Sequence, residues 1–118
     1  MSDVRQKKTE LLPIELLEDA AECLKVLGHP IRLRIVDILM QGEFAVYEIA
    51  ELCELSHNQT CEHLRLLKSH HFLDSKRDGK TVYYKITAPE LPGVLTCIRN
   101  NCGKKTNLKV SVKKGNKQ

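Results

Sequence analysis

Residues 46–67 hold two short amphipathic segments separated by only three residues, and that spacing leaves few ways to fold. Val46 to Cys53 reads as one helix, Glu54-Leu55-Ser56 as a tight turn, and His57 to Leu67 as a second helix. Ser56 suits the N-cap, where its hydroxyl accepts a backbone N–H left without a partner at a helix start. Thr60, Leu64 and Leu67 recur at helical spacing and are expected to face inward. The opposite face then carries Asn58, Cys61, Glu62 and Arg65, with His57 and Gln59 at the exposed start. Asn and Gln pair bidentately with adenine, Arg with guanine, and Glu accepts from cytosine, so these are base-reading side chains. A plain solvated face has the same composition, and only the surrounding elements separate the two readings.

Those elements follow at once. Phe72 to Ile86 reads as a β-hairpin turning at Asp78-Gly79, a pair suited to a type I′ loop because both positions need positive φ. Thr81, Val82, Tyr83, Tyr84 and Ile86 are good strand residues. Lys76, Arg77 and Lys80 are expected at the hairpin tip, where cations meet phosphates. A helix, a turn, a second helix and a basic hairpin make a winged helix-turn-helix, which places its second helix in a DNA major groove.

The chain has 118 residues and a net charge of +4, enough for one domain with a real core. It divides into an arm over 1–12, a folded unit over 13–102, and a tail over 103–118 with six lysines and no acid. Such a tail is expected to be disordered and to add nonspecific attraction to nucleic acid, or to serve as a solubilising end. No apolar run approaches the roughly 18–20 residues of a membrane span. The polar start and the unpaired spacing of five cysteines suggest the cytoplasm.

Two further helices precede the turn motif. The first runs from about Pro13 to Leu27, with Leu17, Ala20, Leu24 and Leu27 as its stripe. The second runs from Pro30 to Met40, with Ile31, Ile35, Ile38 and Leu39 buried and Gly42 ending it. A last helix covers Glu90 to Cys102, with Leu91, Val94, Leu95, Ile98 and Cys102 on one face. The expected fold is mainly α, five helices plus the wing. The terminal helices either close the monomer core or make a twofold homodimer. A homodimer presents two recognition helices to operator half-sites about 34–36 Å apart.

Several stretches resemble the ArsR/SmtB family of small winged-helix repressors. Leu27-Gly28-His29-Pro30-Ile31-Arg32-Leu33-Arg34-Ile35 is similar to its opening. Ile49-Ala50-Glu51-Leu52, Leu55-Ser56, and His63-Leu64 with Leu66-Leu67 are similar to its core. Lys76 to Lys80 with Val82-Tyr83-Tyr84 is similar to its wing. The resemblance covers about residues 17–102. It implies a homodimeric repressor that binds double-stranded DNA and is released by an inducer, often a metal ion. The family's Cys-x-Cys places are Ala45 and Tyr47 here, and the ligand places on its last helix are Ala88, Glu90, Asn101 and Lys104. One carboxylate and a lysine do not replace a four-ligand shell. Glu54 and His71 stand where the family has glycines, which implies a somewhat different turn.

The cysteines then offer another inducer site. Cys53 reads as a small buried hydrophobe. Cys61 is expected to be exposed on the DNA face, where modification would block docking. Cys23 lies beside the first helix's stripe, and Cys97 and Cys102 lie on the last helix, about 140° apart around it. Cys23 with Cys97 or Cys102 suits a soft metal or metalloid ion, or a disulfide or polysulfide bridge. Buried interface thiols are the alternative. His57 and His63 read as DNA-proximal or packing residues, and no metal-binding or catalytic histidine spacing appears. No catalytic constellation is visible. The rival reading is a winged-helix module whose polar helix binds a protein.

Overall fold

A computed structural model describes residues 9–102. The basic tail and most of the arm lie outside the described residues. Among those described, five helices surround a three-stranded antiparallel sheet: α1 (Ile14–Leu27), α2 (Pro30–Leu39), β1 (Phe44–Ala45), α3 (Val46–Cys53), α4 (His57–Ser69), β2 (Leu73–Asp78), β3 (Thr81–Ile86) and α5 (Leu91–Asn101). The sheet order is β1-β3-β2.

The turn motif folds as its local signals dictate. Ser56 Oγ accepts the Gln59 N–H at 3.1 Å, and Gln59 Oε1 accepts the Ser56 N–H at 3.2 Å, a reciprocal capping box. Thr60, Leu64 and Leu67 are fully buried, and Thr60 Oγ1 donates to the Ser56 carbonyl at 2.9 Å, so the buried hydroxyl is satisfied. The helix runs two residues past the expected Leu67, to Ser69.

Helices α3 and α4 end in the same way. Glu54 and His71 take left-handed φ of 58° and 67°. Each is followed by an apolar residue whose N–H reaches back to close the last turn. Leu55 donates to Ala50 at 3.0 Å and Phe72 to Leu67 at 3.1 Å, the Schellman pattern. The expected change of turn therefore does not occur. Two side-chain-bearing residues adopt the conformation that glycine takes without steric cost, because the carbonyls they help satisfy would otherwise be left open.

The hairpin differs from its expected form by one position. Asp78 pairs with Thr81, so the loop is Gly79-Lys80 and not Asp78-Gly79. Positive φ falls on Gly79 alone, at 68°, as a type II′ loop requires of its first central residue. Strand β1 was not expected. Its two residues pair Phe44 with Tyr84 and Ala45 with Tyr83, which roots the wing beside the start of α3.

The core joins Ile35, Val36 and Leu39 of α2, Ile49 of α3, Leu64 and Leu67 of α4, and Leu73 and Tyr84 of the wing. Ile31, expected inside, is only half-buried against the core, and Val36, not expected there, is fully buried. Leu91 and Leu95 of α5 are also core, at 1% and 7% exposure, whereas Val94 and Ile98 are half-buried and Cys102 is exposed. The α5 stripe is thus split between the chain's own core and its surface. In α1 only Leu27 is buried. Leu16, Leu17 and Leu24 stay exposed, Leu24 at 62%.

Candidate nucleic-acid interface

The wing and the recognition helix α4 enclose a cleft of about 860 Å³. Helix α4 contributes His57, Cys61, Arg65 and Lys68, a run spaced i, i+4, i+8, i+11 that keeps one face toward the hairpin. The hairpin contributes Arg77 and Lys80, and α3 contributes exposed Tyr47. Four Arg and Lys side chains line this cleft, and no Asp or Glu does. Its lining carries formal positive charge, which attracts polyanions.

Apart from Lys76, the sequence-derived residues fall into three groups. His57, Cys61, Arg65, Arg77 and Lys80 meet in the cleft. Asn58 and Glu62 are exposed on α4 outside it. Ser56 and Gln59 occupy each other through the cap, so Gln59 is a cap first and has only its amide N–H groups to offer a base.

Lys76 is not at the tip. It pairs with Tyr83, two pairs back from the loop, and strand alternation turns it away from Arg77. Its Nζ lies 3.7 Å from Glu43 Oε2 instead. Lys68 was missed by sequence reading. It donates to Ser75 Oγ at 2.8 Å and lines the cleft. The i, i+3 step from Arg65 was the available signal.

Cys61 is half-buried against the core and not freely exposed. Its Sγ lies 3.4 Å from His57 Nε2. Tyr84 is close by. Burial pushes its phenol up, the Cys61 sulfur adds to this, and the Ser75 hydroxyl and Arg65 oppose it. Cys53 is half-buried, and burial raises its thiol against a weaker opposite pull from Arg34, so it is the less nucleophilic kind of cysteine.

Metal donors do not assemble at the family's places. Ala45 and Ala88 present buried methyl groups, Tyr47 faces solvent, and Asn101 donates to the Cys97 carbonyl at 2.9 Å. Lys104 lies outside the described residues. Residues of this chemistry do not fit either familiar ion site. Among the described residues, no three His, Cys, Asp or Glu side chains converge as a ligand group. Cys23 is half-buried, and Cys97 and Cys102 are exposed. In one chain, α1 packs on α2 and α4, whereas α5 packs on α2. No described helix is long and apolar enough to cross a membrane.

Comparison with known proteins agrees with this geometry. The family described as "Bacterial regulatory protein, arsR family" matches residues 29–73. The chain is 31% identical over 99 residues to the nodulation protein NolR of Rhizobium meliloti, covering 81% of each. It is 29% identical over 86 residues to the "Transcriptional repressor SmtB homolog" of Synechocystis, covering 73% of this chain and 65% of that protein, just under two thirds. It superposes with a TM-score of 0.70 and 26% identity on the homodimeric winged helix-turn-helix DNA-binding domain of a possible ArsR-family regulator from Mycobacterium bovis, covering 85% of this chain and 93% of that one. The chain therefore belongs to the ArsR/SmtB family of winged helix-turn-helix transcriptional regulators, a family of DNA-binding proteins and not of enzymes.

Proposed function

We propose that this chain represses transcription by binding a pseudo-palindromic DNA operator as a homodimer, and that a thiol-reactive inducer releases it. The observation that carries the DNA reading is the acid-free cleft between α4 and the wing. Asn58, Glu62 and Arg65 are exposed on the recognition helix and read base edges. Lys68, Arg77 and Lys80 neutralise phosphates on either side and set the register of the helix. The open leucines of α1, with the half-buried Val94 and Ile98 of α5, supply the dimer contact.

The inducer reading rests on donor chemistry. The two familiar ion places lack a ligand set, and five cysteines are present. Cys23 and Cys97 stand on the terminal helices that make the dimer, and Cys102 caps the last of them. A soft metal or metalloid ion, or a sulfur bridge, joining Cys23 to Cys97 or Cys102 then favours a dimer that no longer spans its operator. Modification of Cys61 in the cleft blocks docking directly.

Sequence-selection binding under reducing conditions, with and without As(III), Cu(I) and polysulfide, tests the whole reading. A recovered palindrome whose binding is lost on adding one of these agents supports it. Salt-steep binding to any DNA with no preferred sequence rejects it in favour of a protein-interaction module.

A further inference from the structure

Behind the recognition helix, outside the cleft, three helices meet at one node. Arg32 of α2 donates Nη1–H to the Val26 carbonyl near the end of α1 at 2.7 Å. The same guanidinium donates Nε–H to His63 Nδ1 on α4 at 3.2 Å. His29 caps α2 by accepting the Ile31 N–H on its own Nδ1 at 3.1 Å. The His29 and His63 rings lie 4.9 Å apart between centroids, tilted by 52°. His63 accepts at Nδ1, so the seated ring carries its single proton on Nε2. Arg32 is the one permanent cation in the group.

We propose that Arg32 and His63 are positioning residues for DNA binding, seating the recognition helix on α2, and that a proton on His63 unseats it. Protonation turns the Nδ1 acceptor into a donor aimed at the guanidinium 3.2 Å away. The hydrogen bond becomes a repulsion between two cations, relieved when α4 moves off α2. The groups that face His63 are Arg32 and His29 from α2 and Glu62 from its own helix, while α1 offers only the Val26 carbonyl to Arg32. Burial holds the His63 proton off, His29 and Arg32 act the same way, and only Glu62 opposes them.

The sign follows from linkage. The seated helix requires neutral His63, so operator affinity is full above the ordinary histidine range and falls as the pH drops below about 6.5. Ordinary histidines at a DNA face behave in the opposite way. A proton gained by any imidazole in the cleft adds positive charge and strengthens phosphate attraction. The two contributions are separable by their direction.

The affinity arm rests on the DNA-binding reading, and a second arm does not. In the full chain, His63→Asn keeps an acceptor oxygen at the Nδ1 position and cannot titrate. On the selected operator, the affinity of the unmodified protein relative to His63→Asn is expected to fall about tenfold from pH 7.5 to 5.5. Without DNA, nitrogen-15 NMR of the histidine rings is expected to show His63 as the Nε2–H tautomer at pH 7.5. The α4 amide shifts should follow its titration, and should not in His63→Asn. An Nδ1–H tautomer, or an affinity ratio that is constant with pH, overturns the proposal. If no operator is selected at any pH, the DNA reading has failed, and the α4 shifts alone decide the node: movement with His63 supports it and stillness rejects it. Arg32→Lys keeps the charge but not the fork of donors. It is expected to lose both the pH component and affinity at pH 7.5, and it decides the same question if His63→Asn does not fold.

Discussion

Lys68 Nζ donates to Ser75 Oγ across 2.8 Å, tying the recognition helix to the first strand of the wing. The bond is exposed, so its net contribution to stability is small, about 0.5–1 kcal/mol. Its use is geometric, because it spaces the α4 cations from those of the hairpin. Arg65 and Lys80 then face the same cleft from opposite sides.

Arg65 and Lys80 are expected to behave differently. Arg65→Ala should cost about 1–3 kcal/mol on the preferred operator and relax selectivity at one base pair. Lys80→Ala should weaken all sequences alike and lower the salt slope by roughly one. Gln59→Ala should cost stability as well, about 0.5–2 kcal/mol, because it also opens the cap. Fluorescence anisotropy across a set of operator variants and salt concentrations checks this. An Arg65→Ala protein with full selectivity removes Arg65 from base reading.

The dimer surface is best tested on α1. Leu95 belongs to the monomer core, so its loss says little about assembly. Leu24 is 62% exposed and Ile98 half-buried. Leu24→Glu or Ile98→Glu would put an unpaired carboxylate into the contact, costing several kcal/mol. Each variant should sediment as a monomer with an unchanged helical circular dichroism signal. A dimer that persists in both rejects the terminal-helix interface.

Glu54 holds φ 58° without being glycine. Relieving that backbone should outweigh the extra chain entropy of glycine, so Glu54→Gly should stabilise the fold by about 0.5–1 kcal/mol. A β-branched Glu54→Val should destabilise by more than about 1 kcal/mol. Urea denaturation of the three proteins measures this, and a destabilised Glu54→Gly would show that the glutamate side chain matters more than its backbone.

Induction is expected to follow the thiols. Operator affinity should fall roughly a hundredfold with the true inducer, a shift of about 2.7 kcal/mol. Cys23→Ser and one of Cys97→Ser or Cys102→Ser should lose that response. Loss in Cys61→Ser alone would move the switch to the cleft beside His57. Zn(II) and Ni(II) should be poorer inducers than As(III), Cu(I) or polysulfide. A quadruple mutant that still responds would exclude a mechanism through these four thiols.

Much of this molecule was legible locally. The bounds of α3, the Ser56 cap, the buried run of Thr60, Leu64 and Leu67, and the polar opposite face all follow from caps and helical periodicity over a few residues. What tertiary structure decided lies between elements. Strand register moved the hairpin loop to Gly79-Lys80 and sent Lys76 to Glu43, because a strand's side chains alternate and one position changes the face. Lys68 entered the site only because the wing folds beside it. Leu95 joined the core because α5 packs on α2. Arg32 and His63 are 31 positions apart, and no periodicity or spacing links them. Local signals report the torsions and faces of one element, whereas partners across elements are chosen by how the buried faces close on each other.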